Sequence, residues 1–256
     1  MVRGIEKFKE YFKDFPDSYV IIGGTACDIT IEQAGLKPRA TNDIDIILIV
    51  EVLNKDFVAQ FWEFIKSGNY EKCEKSEEAR QYYRFRKPEI SDYPLQIEIF
   101  SRIPDILDLA DTSRYTPIPV DDDLSSLSAI LMNDDYYFYS IANSTNDNGI
   151  HIAGIEALIC LKAKAYLDLK EDKEKGKPID NKKILKHKYD VFRLALLLSA
   201  DNVFEISVSI KTDLKTFMNT ISDDLPDIAI FKEMGAGNIN VQALFEQLKN
   251  NFKLND

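Results

Sequence analysis

The stretch that decides the fold is Tyr19-Val20-Ile21-Ile22-Gly23-Gly24-Thr25-Ala26, followed by Arg39-Ala40-Thr41-Asn42-Asp43-Ile44-Asp45-Ile46-Ile47-Leu48-Ile49-Val50. Its two apolar runs are rich in β-branched residues and read as buried strands. The first runs into a glycine pair, and the second opens with two aspartates two residues apart. Side chains alternate along a strand, so Asp43 and Asp45 share one face and Ile44 and Ile46 the other. Two carboxylates that close repel each other, and burial raises their pKa values. Keeping them charged requires a cation. Oxygen ligands of this kind suit Mg²⁺, with Mn²⁺ as an alternative. Gly23 and Gly24 lack a Cβ and permit a tight turn close to a ligand. Thr25 is a candidate N-cap for a helix over 26–34, whose free N–H groups favour phosphate.

A later stretch, Leu95-Gln96-Ile97-Glu98-Ile99-Phe100, alternates as a strand and carries one acid, Glu98, in an apolar setting. Gly-Gly-Thr, a helix, then Arg39-x-Thr41-x-Asp43-Ile44-Asp45 resembles the nucleotidyltransferase superfamily of the DNA polymerase β type. Within it the stretch is most similar to the AbiEii-type toxin nucleotidyltransferases. The resemblance implies a nucleotidyltransferase-like mixed sheet with flanking helices, an α/β (α+β) fold with a C-terminal helical region. It implies transfer of an NMP from an NTP to a hydroxyl of RNA or protein. Asp43, Asp45 and Glu98 would be the metal ligands. Gly23, Gly24, Thr25, Arg39 and Thr41 would bind the nucleotide. A cognate antitoxin would be the partner. The rival reading is a non-catalytic nucleotide sensor or partner-binding protein that retains the fold.

The chain has 256 residues, 45% hydrophobic and 29% charged, with ample length for a core. Its net charge of −11 argues against a broad duplex-DNA surface, though not against a local basic groove. Cys27, Cys73 and Cys160 are scattered among apolar residues and read as small buried hydrophobes of a cytoplasmic protein. Two histidines, His151 and His187, make a zinc site unpromising. No signal peptide is indicated at the N-terminus, and no apolar run approaches the roughly 20 residues of a membrane span.

The composition divides the chain into a catalytic α/β part over 1–150 and a helical part over 151–256 that completes the cleft. Helical spacing predicts helices over 5–15 and 55–67. Trp62 falls on the apolar stripe of the second and reads as core rather than as a base-stacking platform. Strands are predicted over 70–73, 81–86 and 94–100. Arg84 and Arg86 share a face of one strand and could reach a phosphate, or serve as charged gatekeepers of an edge strand. A short helix is predicted over 124–132 behind the acidic run Asp121-Asp122-Asp123. A strand is predicted over 136–142 and a loop over 143–149. Helices follow over 155–170, 181–199, 210–221 and 241–252.

In the helix after Gly154, Lys162 sits in the middle of the apolar face formed by Ile155, Leu158, Ile159, Ala165, Tyr166 and Leu169, while Lys164 points the other way. A lysine there either snorkels or meets an anion, and beside a nucleotide the anion is a triphosphate. The AbiEii-like family has a lysine at the position of Lys162, then a Lys-Asp-x-x-Asp-type motif. Here the matching stretch is Lys186-His187-Lys188-Tyr189-Asp190. Asp190 fits the second acid, and His187 replaces the first. Lys188 also falls on an apolar face, where it contacts either a ligand or an acid across an interface.

Overall fold

A computed structural model describes residues 2–75, 82–102, 130–131 and 133–255, with the backbone alone at 71–75 and 82. The helix predicted over 124–132, with the acidic run before it, lies outside the described residues except for 130–131.

The strands are β1 (Tyr19–Ile22), β2 (Asp43–Leu48), β3 (Tyr70–Lys75), β4 (Tyr82–Pro88), β5 (Gln96–Phe100), β6 (Ser144–Asp147) and β7 (Ile150–Ala153). They form one mixed sheet in the order β3-β4-β5-β2-β1-β7-β6. β2 runs parallel to β5, and β1 parallel to β7; the other neighbours are antiparallel. The described helices are α1 (Ile5–Phe12), α2 (Gly23–Gln33), α3 (Lys55–Ser67), α4 (Asp134–Ala142), α5 (Ile155–Glu174), α6 (Asn181–Ala195), α7 (Val208–Ile221), α8 (Ala229–Lys232) and α9 (Val241–Asn251). The fold is α/β, with a mixed sheet, flanking helices and a helical C-terminal region.

Strand alternation sorts the sheet into two unlike faces. One carries Tyr19, Ile21, Ile44, Ile46, Phe85, Ile97 and Ile99, in register across β1, β2, β5 and β4. Helices α1 and α3 cover it with aromatic rings: Phe8 meets Tyr19 edge-on at 5.2 Å, and Trp62 meets Phe85 at 5.7 Å. Trp62 is therefore core. The other face carries Asp43, Asp45, Gln96, Glu98, Arg84 and Arg86 near its C-terminal helices. One continuous core runs from the sheet into α5, α6, α7 and α9, so residues on both sides of position 150 share it. Cys27 and Cys160 are buried within it, and burial pushes the Cys27 thiol up to about 12.

Two expectations fail next to each other. The segment predicted as a strand over 136–142 is helix α4. Its buried residues Tyr136, Tyr137 and Ser140 follow helical spacing, and Asn133 caps its start by accepting from the Asp135 N–H at 2.9 Å. The aromatic run favours a strand by propensity, but tertiary burial of one helical stripe prevails. The segment predicted as a loop over 143–149 contains strand β6. It closes a two-residue hairpin on β7 through Asn148 and Gly149, with φ of 50° and 83°. Positive φ at both central residues is the type I′ turn that Asn-Gly favours. The strand was hidden because it lies at the sheet edge and is polar throughout. The helix predicted over 155–170 extends to Glu174. Among the described residues, no helix is long and apolar enough to cross a membrane.

Replacing Gly149 by alanine puts a side chain on a left-handed residue, which should lower stability by roughly 1–2 kcal/mol. A drop in the urea midpoint at an unchanged slope is the expected result.

Candidate active site

Helix α2 begins directly at the end of β1. Gly23 has a φ of 68°, and a Cβ built on it would overlap the Asp45 carboxylate. Glycine is required there on both counts. Thr25 is not an N-cap. It lies inside the helix, which starts at Gly23 with Ile22 at the cap position, and its hydroxyl donates to the Asp43 carbonyl. A Cβ on Gly24 would come within 2.7 Å of Arg39 Nη2 and 2.8 Å of Thr41 Oγ1. Those two atoms are buried without hydrogen-bond partners. The Thr41 N–H is anchored to Asp28 Oδ2 at 2.6 Å. Between Arg39 and Thr41, Ala40 adopts a φ of 67°, a left-handed turn unusual for a side chain. Donors without partners beside the first turn of a helix are a setting for an anion.

The polar face of the sheet is a grid. Arg84, Glu98 and Asp45 are register partners across β4, β5 and β2, and Arg86, Gln96 and Asp43 form the parallel row beside them. Both rows line a cavity of about 230 Å³, closed on the opposite side by Leu158, Leu161, Lys162, Ala165 and Leu169 of α5 and by Lys186 and His187 of α6. Arg84 Nε lies 2.7 Å from Glu98 Oε1, and Gln96 Nε2 donates to the same oxygen at 2.7 Å. Burial, then the charge of Asp45, pushes the Glu98 carboxyl well above the usual range, against the pull of Arg84. Burial and Asp45 also raise Asp43, with Lys186 and Arg84 working the other way.

The opposing wall is cationic and rests on one acid. Asp190 is 1% exposed, with Lys162 Nζ at 3.2 Å, Arg193 Nη1 at 3.2 Å and Arg39 Nε at 3.3 Å. Burial works against the Asp190 carboxylate, but Lys162, Arg39 and Arg193 outweigh it and bring its pKa to about 2. Burial likewise works against the Lys162 ammonium, and Asp190 more than offsets it. Lys162 thus faces the cleft while paired behind it. Lys186 lines the cleft, where lost solvation of its ammonium, then Arg39 and Lys162, lowers its pKa. The His187 imidazole is held neutral by burial and by Lys162, and its Nδ1 has no hydrogen-bond partner.

The structure therefore gathers Gly23, Gly24, Thr41, Asp43, Asp45, Glu98 and Lys162 on one cavity, with Arg39, Thr25 and Asp190 directly behind its wall. Lys188 is elsewhere: its ammonium donates to the backbone and side chain of Asp224, each at 2.8 Å. Sequence reasoning missed Asp28, placed Lys186 in the family-like motif without giving it a role, and left Arg84 and Arg86 undecided. Strand parity alone already placed the two arginines on one face. Lys186 is marked only by the motif it opens, since it sits among several other lysines.

No protein-family model and no curated protein matches the sequence. Among solved structures the chain is similar to an antigenic nucleotidyltransferase-like protein from Paracoccidioides brasiliensis, at 15% identity and a TM-score of 0.44, over 90% of this chain and 99% of that one. It is also similar to the Megavirus polyadenylate synthase, at 13% identity and a TM-score of 0.41, over 86% of this chain and 36% of that one. At these TM-scores neither likeness carries weight in reading the cleft.

Asp190→Asn should destabilise the protein by about 3–5 kcal/mol, because it leaves buried cations uncompensated. The pH dependence has a definite sign. The folded pKa of about 2 lies below the ordinary 3.8, so this stabilisation is complete above pH 4 and is lost as pH falls towards 2. Acid titration of wild type and Asp190→Asn by circular dichroism should show the difference between them closing over that window.

Proposed function

We propose that the chain is a metal-dependent nucleotidyltransferase. The observation that carries this reading is the pairing of two unlike walls: carboxylates on the sheet, and cations with unpartnered donors around the start of α2 and on α5 and α6. An NTP needs both, a cation site for its metal and donors for its phosphates.

Asp43 and Asp45 fit a divalent oxygen-liganded cation such as Mg²⁺ or Mn²⁺. They share one strand face, they open on the cavity, and the charge of Asp45 helps to push Asp43 up when no cation lies beside them. Glu98 is the third acid of the row, its Oε1 engaged by Arg84 and Gln96. When bound, the metal would neutralise phosphate charge and polarise the α-phosphoryl group. The chain's own residues do the positioning. Arg39, Thr41 and the N–H groups at the start of α2 hold the phosphates, and Lys162 and Lys186 supply positive charge across the cleft. Leu158, Leu161 and Leu169 offer an apolar surface to the nucleoside and exclude water. Asp45 or Glu98 accepts the proton of the hydroxyl, whose oxygen bonds to the α-phosphorus as the α–β phosphoanhydride breaks and pyrophosphate leaves.

The finer reading is an AbiEii-type enzyme acting on an RNA or protein hydroxyl, in the cytoplasm, with an antitoxin as partner. Its support is the sequence from Gly23 to Asp45 together with Lys162, Lys186 and Asp190. His187 departs from it.

The test is incubation with each labelled NTP, Mg²⁺ and cell extract. Wild type should label RNA or protein, and Asp45→Asn should lose about a thousandfold in rate, roughly 4 kcal/mol of transition-state energy. In chelator, Asp45→Asn should melt no lower than wild type, because it relieves repulsion, and it should lose the Mg²⁺-induced rise in melting temperature. A large drop in chelator with an intact Mg²⁺ response would remove Asp45 from the site.

A further inference from the structure

The two rows of the grid treat their middle residue differently. In the row of Arg86, Gln96 and Asp43 that residue is neutral. In the row of Arg84, Glu98 and Asp45 it is an acid wedged between a cation and a second acid. Arg84 and Glu98 are only 5% and 8% exposed, so their contact at 2.7 Å is a desolvated, charge-assisted one. The oxygen that Arg84 holds also accepts from Gln96, which leaves it little capacity for another ligand. Consistent with this, no three His, Cys, Asp or Glu side chains converge as a metal-ligand set among the described residues.

We propose that Arg84 is a positioning residue that competes with the divalent cation for Glu98. In the metal-free protein it keeps the Glu98 carboxylate, and arrival of the cation at Asp43 and Asp45 draws Glu98 away from it. The inference rests on the nucleotidyltransferase reading of the site. Its physical basis is charge balance. Asp45 and Glu98 repel each other unless a cation lies beside them. Arg84 is that cation, delivered from the neighbouring strand in register with Glu98. A guanidinium does not deprotonate at any physiological pH, so only a stronger cation displaces it. Once displaced it remains beside Arg86 in the same cavity, where it can turn to phosphate.

The test needs no turnover. Mn²⁺ alone is titrated calorimetrically into wild type, Arg84→Gln, Arg86→Gln and the double variant Arg84→Gln with Glu98→Gln. Arg84→Gln should bind Mn²⁺ about tenfold more tightly, since one charge-assisted contact no longer competes for the carboxylate. Arg86→Gln removes the same charge beside neutral Gln96 and should change affinity by less than about threefold, the scale of a screened charge. The double variant should lose the gain. In chelator, Arg84→Gln should melt lower than wild type and recover more on adding Mn²⁺. If it does not fold, Arg84→Lys carries the same test with a smaller gain in the same direction. Equal gains in Arg84→Gln and Arg86→Gln would reduce the effect to net charge and overturn the competition. Unchanged Mn²⁺ affinity in Arg84→Gln would make the ion pair a fixed structural one. Wild type that binds no Mn²⁺ would overturn the metal-dependent reading itself, and this proposal with it.

Discussion

Asp45 and Glu98 face each other across two parallel strands, and much of the cleft exists to make that pair of like charges tolerable. Parallel pairing of β2 and β5 brings the carboxyl groups onto one face in register, so the repulsion is built into the sheet. Arg84 neutralises one side. The positive field of Lys186 reaches the other, acting on both Asp43 and Asp45. Gly23 leaves the room that the Asp45 carboxylate fills. With Glu98 buried and Asp45 half-buried, an acid pair of this kind is costly unless it is matched by charge.

The helical half completes this arrangement through Asp190. One buried carboxylate on α6 ties together Lys162 of α5, Arg193 of its own helix and Arg39 of the segment before β2. Those contacts fix the cationic wall at a set distance from the acids. They also explain why Arg39 and Thr41 keep unpartnered atoms: the segment is pinned by Asp190 and by Asp28, and its remaining donors point at the start of α2. The left-handed Ala40 is the local cost of turning the chain between those anchors, of order 1–3 kcal/mol for such residues.

Much of this was legible in the sequence where the signal is local. β-branched runs marked β1 and β2, strand parity put Asp43 with Asp45 and Arg84 with Arg86, and the misplaced Lys162 announced an anion. What failed depended on distant contacts. Tyr136 to Ala142 carries strand-forming aromatics, yet the burial of Tyr136, Tyr137 and Ser140 makes it a helix. Ser144 to Asp147 is polar and pairs only because the Asn-Gly turn returns β7 to the sheet. The anion that meets Lys162 is Asp190, a pairing between two helices that no spacing rule supplies. Lys188 obeyed its apolar face but found Asp224, a carboxylate that does not line the cleft.

The measurement that bears most directly on the account is anomalous X-ray diffraction from crystals grown with Mn²⁺ and a non-hydrolysable NTP. The account predicts a Mn²⁺ peak within coordination distance, about 2.0–2.3 Å, of both Asp43 and Asp45, with phosphate density against Arg39, Thr41 and the first turn of α2. A nucleotide bound with no metal at these aspartates, or bound outside this cavity, would contradict it.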